Sequence, residues 1–336
     1  MSNWRLFTGE GDGDAEPRAD DWFDEALPDP PPWRNFKRAG KPSFIVTEEM
    51  KLAVNAALHL RRPLLLTGKP GTGKSSLIET VADELMLGKV LRWPITSKST
   101  LKSGMYEYDA LARLNERDQP GASIENYLTL GPLGTALQAS ARTRAVLIDE
   151  IDKGDLDLPN DLLHVFERGD YSIPELERHG KAEVKVRTAF ARMADDGVPL
   201  AAHEPREIPV ANGKLQCVKF PFIVLTSNGE REFPAAFLRR CIRLEITPPK
   251  TKEELREIVL SHLTELKSTH VAEIEALAQD FLDLSRSGDL ANDQLLNAVF
   301  LACDLKRQGK DLGDDSEKVR AQILAQLTST GFTSGQ

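Results

Sequence analysis

The chain has 336 residues, 40% of them hydrophobic and 28% charged, with a formal net charge of −9. That length supports a sizeable core, read as two domains plus a tail. The first 32 residues hold nine acids (Glu10, Asp12, Asp14, Glu16, Asp20, Asp21, Asp24, Glu25 and Asp29) against Arg5 and Arg18, so they carry −7 and leave about −2 for everything else. No basic field covers the folded part, so there is no strong nucleic-acid signal, although a local basic pore stays open. Cys217, Cys241 and Cys303 lie far apart, without zinc or redox spacing. An odd count argues against a disulfide framework and for small buried apolar residues in a reducing compartment. The start of the chain shows no secretory pattern, and no apolar run reaches the roughly 18 residues that a membrane span needs. The chain therefore reads as cytoplasmic, with no membrane partner.

Residues 1–43 are acidic and rich in Pro and Gly, and are expected to be a largely disordered arm. Trp4, Phe7, Trp22, Phe23, Trp33 and Phe36 interrupt it. Two readings stay open: a docking segment, or aromatics folded back on the neighbouring domain. Thr47 is placed to cap a helix through Leu60, on which Leu52, Ala56 and Leu60 share one face. A short apolar strand at 64–67 comes next, then a helix over 76–87. A second strand spans 90–95, and 96–135 is irregular with short helices. A helix over 133–141 leads into Ala145-Val146-Leu147-Ile148, whose continuous apolar run predicts a strand buried on both faces. Pro159 opens another helix to Glu167. Residues 169–220 read as an insertion with a hairpin turn at Asn212-Gly213. Its charges (Glu175, Glu177, Arg178, Lys181, Glu183, Lys185 and Arg187) read as a solvated face. Phe222 to Thr226 is a further buried strand. From Thr251 the periodicity changes to that of helices, predicted at 251–267, 270–286, 291–309 and 315–329 and punctuated by Gly288, Gly309 and Gly313. The domains are thus an arm (1–43), an α/β domain (44–249), a small helical domain (250–330) and a tail (331–336).

Chemistry concentrates where strands end. Leu64-Leu65-Leu66-Thr67 runs into Gly68-Lys69-Pro70-Gly71-Thr72-Gly73-Lys74-Ser75-Ser76, the P-loop pattern between a strand and a helix. By composition alone the pattern arises in about one chain in a hundred of this length. Its glycines let successive N–H groups turn toward one phosphate, and the following helix adds its positive end. Lys74 would reach the terminal phosphates and Ser75 would hold Mg²⁺, so ATP and Mg²⁺ are the expected ligands. Asp149-Glu150 follows the buried strand at 145–148. The carboxyl end of a parallel strand is where ligands bind, so Asp149 can hold Mg²⁺ beside Ser75 and Glu150 can activate the attacking water. Asn228 follows the next buried strand, where its amide can bond the same water; the competing reading is turn chemistry before Gly229.

The order P-loop, Asp-Glu strand, Asn strand, paired arginines and helical lid resembles the AAA+ ATPases over roughly residues 44–330. Gly131-Pro132-Leu133, Asp149-Glu150-Ile151-Asp152-Lys153 and Phe237-Leu238-Arg239-Arg240 look like the MoxR branch. The resemblance implies an α/β P-loop core with a parallel sheet between helices, a helical lid, and a hexameric ring of identical chains with ATP between subunits. It implies that Arg240 is the arginine finger reaching the neighbour's γ-phosphate, a group that supplies about 10³–10⁵ in rate. Arg239 takes a position often acidic in the branch, and its help to Arg240 stays open; surface ion pairing is the alternative for both. The lid's customary arginine is missing: Leu290-Ala291-Asn292-Asp293-Gln294 stands there, with Arg286 nearby but shifted. Cys241 replaces the customary Phe. Tyr106 and Tyr108 are candidate grips on a threaded chain, or else pack in the interior. The implied activity is Mg²⁺-dependent ATP hydrolysis that remodels or activates a protein client, one with a von Willebrand factor A domain fitting best. The alternatives are a nucleotide-controlled assembly switch, a nucleic-acid motor and, least of all, a small-molecule P-loop kinase.

Overall fold

The structure, a computed structural model, describes residues 30–34, 44–116, 123–263, 271–285, 291–307 and 315–324. Trp4, Phe7, Trp22, Phe23 and Phe36 of the arm, Arg286, Gly288, Gly309, Gly313 and the tail 331–336 lie outside the described residues. Backbone contacts divide the chain into two units. One holds Val46–Gly68 and Gly73–Ile246, and the other includes Lys69–Thr72 and the residues from Thr247 onward.

The larger unit runs through α1 (Glu48–Leu60), β1 (Leu64–Thr67), α2 (Lys74–Glu84), β2 (Leu91–Pro94), α3 (Leu101–Met105), β3 (Tyr106–Tyr108) and α4 (Ala110–Asn115). It continues with β4 (Leu128–Leu130), α5 (Pro132–Ala136), β5 (Ala145–Asp149), α6 (Leu158–Arg168), β6 (Asp170–Ser172), α7 (Pro174–His179), β7 (Glu183–Arg187) and α8 (Ala189–Asp195). Then come β8 (Glu207–Ala211), β9 (Lys214–Gln216), β10 (Phe222–Ser227), α9 (Ala235–Leu238) and β11 (Ile242–Glu245).

Five strands make a parallel sheet in the order β11-β1-β10-β5-β2. Every residue from Ala145 to Ile148 and from Phe222 to Ser227 is buried, as a continuous apolar run in a two-faced sheet requires. The register pairs Thr67 with Ser227, Leu225 with Ile148 and Pro94 with Asp149. The carboxyl ends of β1, β10, β5 and β2 therefore finish level with one another, which collects the residues that follow them at one edge.

Thr47 accepts a hydrogen bond from Met50 N at 3.3 Å and caps α1 as expected. The apolar stripe on that helix is not its buried face, however. Leu52 and Leu60 are 66% and 59% exposed, whereas Met50, Ala53, Val54 and Ala57 are buried. The small Ala53 and Ala57 let the helix backbone approach β1 and β11 closely, so the bulky leucines turn outward.

A second sheet, in the order β3-β4-β7-β8-β9-β6, unites the segment after β2 with the insertion after α6. The hairpin at Asn212-Gly213 forms as predicted, with both residues at positive φ (50° and 67°) and Ala211 paired with Lys214. Helix α5 stops at Ala136 rather than 141, and within it buried Thr135 Oγ1 accepts from Ala189 N at 2.9 Å. The insertion's charges are only partly a solvated face. Glu177, Arg178, Lys181, Glu183 and Lys185 are exposed, but Glu175 and Arg187 are half-buried and paired, and Val184 and Val186 point into the core. Tyr106 is 2% exposed, and Tyr108 packs against the same core with its hydroxyl accepting from Arg113 at 2.8 Å. Tyr106 is thus an interior residue, whereas Tyr108 is half-buried.

The helical unit contains α10 (Lys252–His262), α11 (Val271–Ser285), α12 (Asn292–Arg307) and α13 (Ser316–Ile323); α10 ends before the predicted 267, with Leu263 already outside it, and α13 ends at Ile323 rather than 329. Leu255, Val259, Ile274, Leu277, Phe281, Leu295, Val299 and Cys303 form its core.

Candidate functional site

The loop after β1 is shaped by left-handed glycines. Gly68, Gly71 and Gly73 have φ of 147°, 73° and 85°. A side chain at Gly68 would also put its Cβ 2.3 Å from the Ile246 carbonyl oxygen, so only glycine fits there. Thr72 Oγ1 donates to the Lys69 carbonyl at 2.9 Å and steadies the turn. Gly73 caps α2, leaving the amide groups of the first turn at the loop. Lys74 is 7% exposed and its ammonium donates to the Gly68 carbonyl at 2.7 Å. Burial lowers its pKa, against the carboxylates of Asp152, Asp149 and Glu150, which raise it. A buried ammonium in this setting is poorly solvated and favours a fully desolvated anion.

A chain of hydrogen bonds links the strand ends. Ser75 Oγ donates to Asp149 Oδ1 at 3.0 Å, and Thr226 Oγ1 donates to the same oxygen at 2.6 Å. Thr226 Oγ1 in turn accepts from Glu150 N at 2.8 Å. Glu150 sits in the left-handed region (φ 59°, ψ 52°), which turns the chain sharply at the end of β5. Its carboxylate receives Asn228 Nδ2 at 3.3 Å and Lys153 Nζ at 2.7 Å, and that contact raises the Lys153 pKa. The backbone N–H groups of Asn228 and Glu230 both donate to Asp152 Oδ2, at 2.9 and 3.2 Å. Asp152 Oδ1 is buried without a hydrogen-bond partner.

The structure thus brings Ser75, Asp149, Glu150 and Asn228 into one bonded network, with Lys74 in its field. Ser75 Oγ and Asp149 Oδ1 are hard oxygens at hydrogen-bond distance, a donor set that suits Mg²⁺ with retained waters. Glycine-held amides, a buried ammonium and that oxygen pair fit a magnesium–nucleotide. Arg240 is not in the network. Its Nε donates to Glu167 Oε1 at 2.5 Å and its Nη1 to the Ala236 carbonyl at 2.9 Å. Arg239 is exposed, and its carbonyl accepts from Arg62 Nη1 at 3.1 Å.

Sequence reasoning missed Thr226 and Asp152 as members of the site. Thr226 lies one step beyond the Leu225–Ile148 pair, beside Asp149. A polar residue closing an otherwise apolar run was the available signal. Asp152 had none beyond its closeness to Asp149. Cys241 and Cys303 are buried as expected, and burial pushes the Cys241 thiol up to about 12. Cys217 is only half-buried.

Among the described residues no helix is long and apolar enough to cross a membrane. No curated protein matches the chain. Among solved structures, a single-substitution variant of RuvB from Thermotoga maritima is similar, with 16% identity and a TM-score of 0.42 over 82% of this chain and 67% of that one. Residues 63–241 match the family described as the AAA domain of the dynein-related subfamily, a family of nucleotide-hydrolysing ATPases. That span exceeds half of the chain and takes in the glycine loop, Asp149, Glu150, Asn228 and both arginines, so the chain belongs to the AAA domain family, dynein-related subfamily.

Proposed function

We propose that this AAA+ protein is a Mg²⁺-dependent ATPase of the MoxR branch that hydrolyses ATP between subunits of a ring, hexameric in the resembled branch, and so remodels or activates a partner protein. The observation that carries the reading is the bonded network Ser75–Asp149–Thr226–Glu150–Asn228 at the mouth of a glycine-shaped loop. In it, the loop from Gly68 to Ser76 and the Lys74 ammonium bind the phosphates, and Ser75 and Asp149 hold the metal. Magnesium, when bound, neutralises charge on the phosphate oxygens. Glu150 takes the proton of the attacking water, and Asn228 holds that carboxylate and the water in line. Arg240, with Arg239 beside it, completes the site of the next subunit. A client with a von Willebrand factor A domain is the partner that the MoxR resemblance favours, with the acidic aromatic arm as its contact. Three free cysteines suit a cytoplasmic setting.

The test is Glu150→Gln. It should retain ATP binding and lose about 10²–10⁴ in hydrolysis rate, as expected for loss of a positioned base. Unchanged turnover would remove Glu150 from the mechanism. One observation favours a second reading, a nucleotide-controlled assembly switch. At the start of α12, where a lid arginine would face nucleotide, Gln294 instead bonds within the helical unit, to Ala291 N at 2.9 Å and the Ile323 carbonyl at 3.1 Å. Turnover raised by a von Willebrand factor A protein supports remodelling; ATP-driven assembly with background turnover supports the switch.

A further inference from the structure

The guanidinium of Arg240 is held on two sides. Its Nε donates to Glu167 Oε1, Nη2 lies in ion-pair contact with the same oxygen, and Nη1 donates to the Ala236 carbonyl. Arginine carries five N–H donors in a rigid plane. The hydrogen bonds occupy Nε–H and one N–H of Nη1 and leave donors on both terminal nitrogens, the pair that meets two phosphate oxygens in bidentate recognition. The backbone is fixed too. Arg62 Nη1 donates to the Arg239 carbonyl at 3.1 Å, the oxygen of the peptide bond leading into Arg240. On the other side, Ile242 N donates to the Pro63 carbonyl at 2.8 Å, so the residue after Arg62 anchors the strand after Arg240.

We propose that Glu167 and Arg62 are positioning residues for Arg240. Glu167 sets the plane of the guanidinium, Arg62 fixes the peptide that carries it, and together they present a preset donor fork to the terminal phosphate bound by a neighbouring copy. This rests on the reading of Arg240 as the group that acts across a subunit interface. A free arginine loses rotamer freedom when it meets a phosphate; one already held loses less. The side chains of Arg240 and Glu167 are 23% and 52% exposed. A pair so near the surface adds little to folding, so geometry is what it supplies.

The test uses the full chain carrying Glu167→Ala, Glu167→Gln or Arg240→Ala, each alone and mixed with Lys74→Ala protein. Glu167→Ala should lower kcat about 10- to 100-fold, less than Arg240→Ala, because the group is misplaced rather than removed. Glu167→Gln, which keeps an acceptor, should fall between Glu167→Ala and the unmodified chain. KM for ATP should stay within about twofold and the melting temperature within about 2 °C. Mixing with Lys74→Ala should restore turnover to Glu167→Ala and Arg240→Ala alike, since each then borrows an intact fork from its neighbour. A Glu167→Ala protein with full kcat beside an inactive Arg240→Ala overturns the inference alone. So does a Glu167→Ala defect that mixing fails to mend while Arg240→Ala is mended. Full turnover in Arg240→Ala overturns both the inference and the reading beneath it.

Discussion

The Thr226 hydroxyl has a single proton and two partners, which fixes its direction: it donates to the Asp149 carboxylate and accepts from Glu150 N. Thr226 is 1% exposed, so its hydroxyl has no water to turn to instead. It also supports Glu150 in a backbone conformation that costs an L-residue about 1–2 kcal/mol. Thr226→Val keeps the shape and removes both bonds. Leaving the part-buried Glu150 N–H without this acceptor should cost about 1 kcal/mol of stability, read by chemical denaturation. Release of Glu150 from its turn should lower kcat about tenfold while ATP binding persists. Thr226→Ser should keep both properties, and a fully active valine variant would mean that the turn holds itself. Single residues were legible in the sequence where their chemistry is local. Asp149, Glu150 and Asn228 each follow an apolar run, and a strand's carboxyl end is where ligands gather. Thr226 and Asp152 act through partners 77 and 76 positions away, and that distance is closed only by the pairing of β10 with β5.

At the scale of elements, β1, β2, β5 and β10 of the parallel sheet were legible in the sequence, whereas β11 was not, because Ile242-Arg243-Leu244-Glu245 alternates apolar and charged residues instead of running apolar. The second sheet was not legible either, because β3, β4, β6 and β9 are three residues long and most of its pairings are far apart in sequence. What read as two separate excursions is one platform, joined by Arg192 to Glu107, Lys181 to Glu125, and Lys102 and Tyr106 to Glu175. Glu175 gives the platform a pH dependence. Burial raises its pKa, but hydrogen bonds from Tyr106 and Lys102 outweigh that, and the carboxyl lies below its usual value. Around that pH the unfolded chain binds more protons than the folded one. The pair's stability is therefore complete above the unfolded pKa and is lost as pH falls through the folded value. Tyr106→Phe removes the donor and leaves a carboxylate only 17% exposed with one partner fewer. The variant should lose about 1–2 kcal/mol near neutral pH and less near pH 3, so the two stability curves converge in acid. Parallel curves would place the loss in packing rather than in the carboxylate.

For the molecule as a whole, the deciding property is that its two chemical halves face different partners. Lys74, Ser75, Asp149, Glu150 and Asn228 are tied into one network. Arg240 is bonded to Glu167 and Ala236 instead. With the site shared between subunits as proposed, binding and turnover should separate with dilution. Binding uses one copy, so a slowly hydrolysed ATP analogue at a hundred times its Kd should stabilise even dilute protein by about 2.7 kcal/mol. Lys74→Ala should abolish that gain. Turnover needs a second copy, so specific activity should rise with protein concentration and level off where particles assemble. The arm's −7 adds repulsion between copies, so added salt, which screens it over about 8–10 Å at physiological ionic strength, should move that onset to lower concentration. Activity per chain that stays constant from a demonstrated monomer to high concentration would mean that each copy completes its own site, and Arg240 would then lose its assigned part.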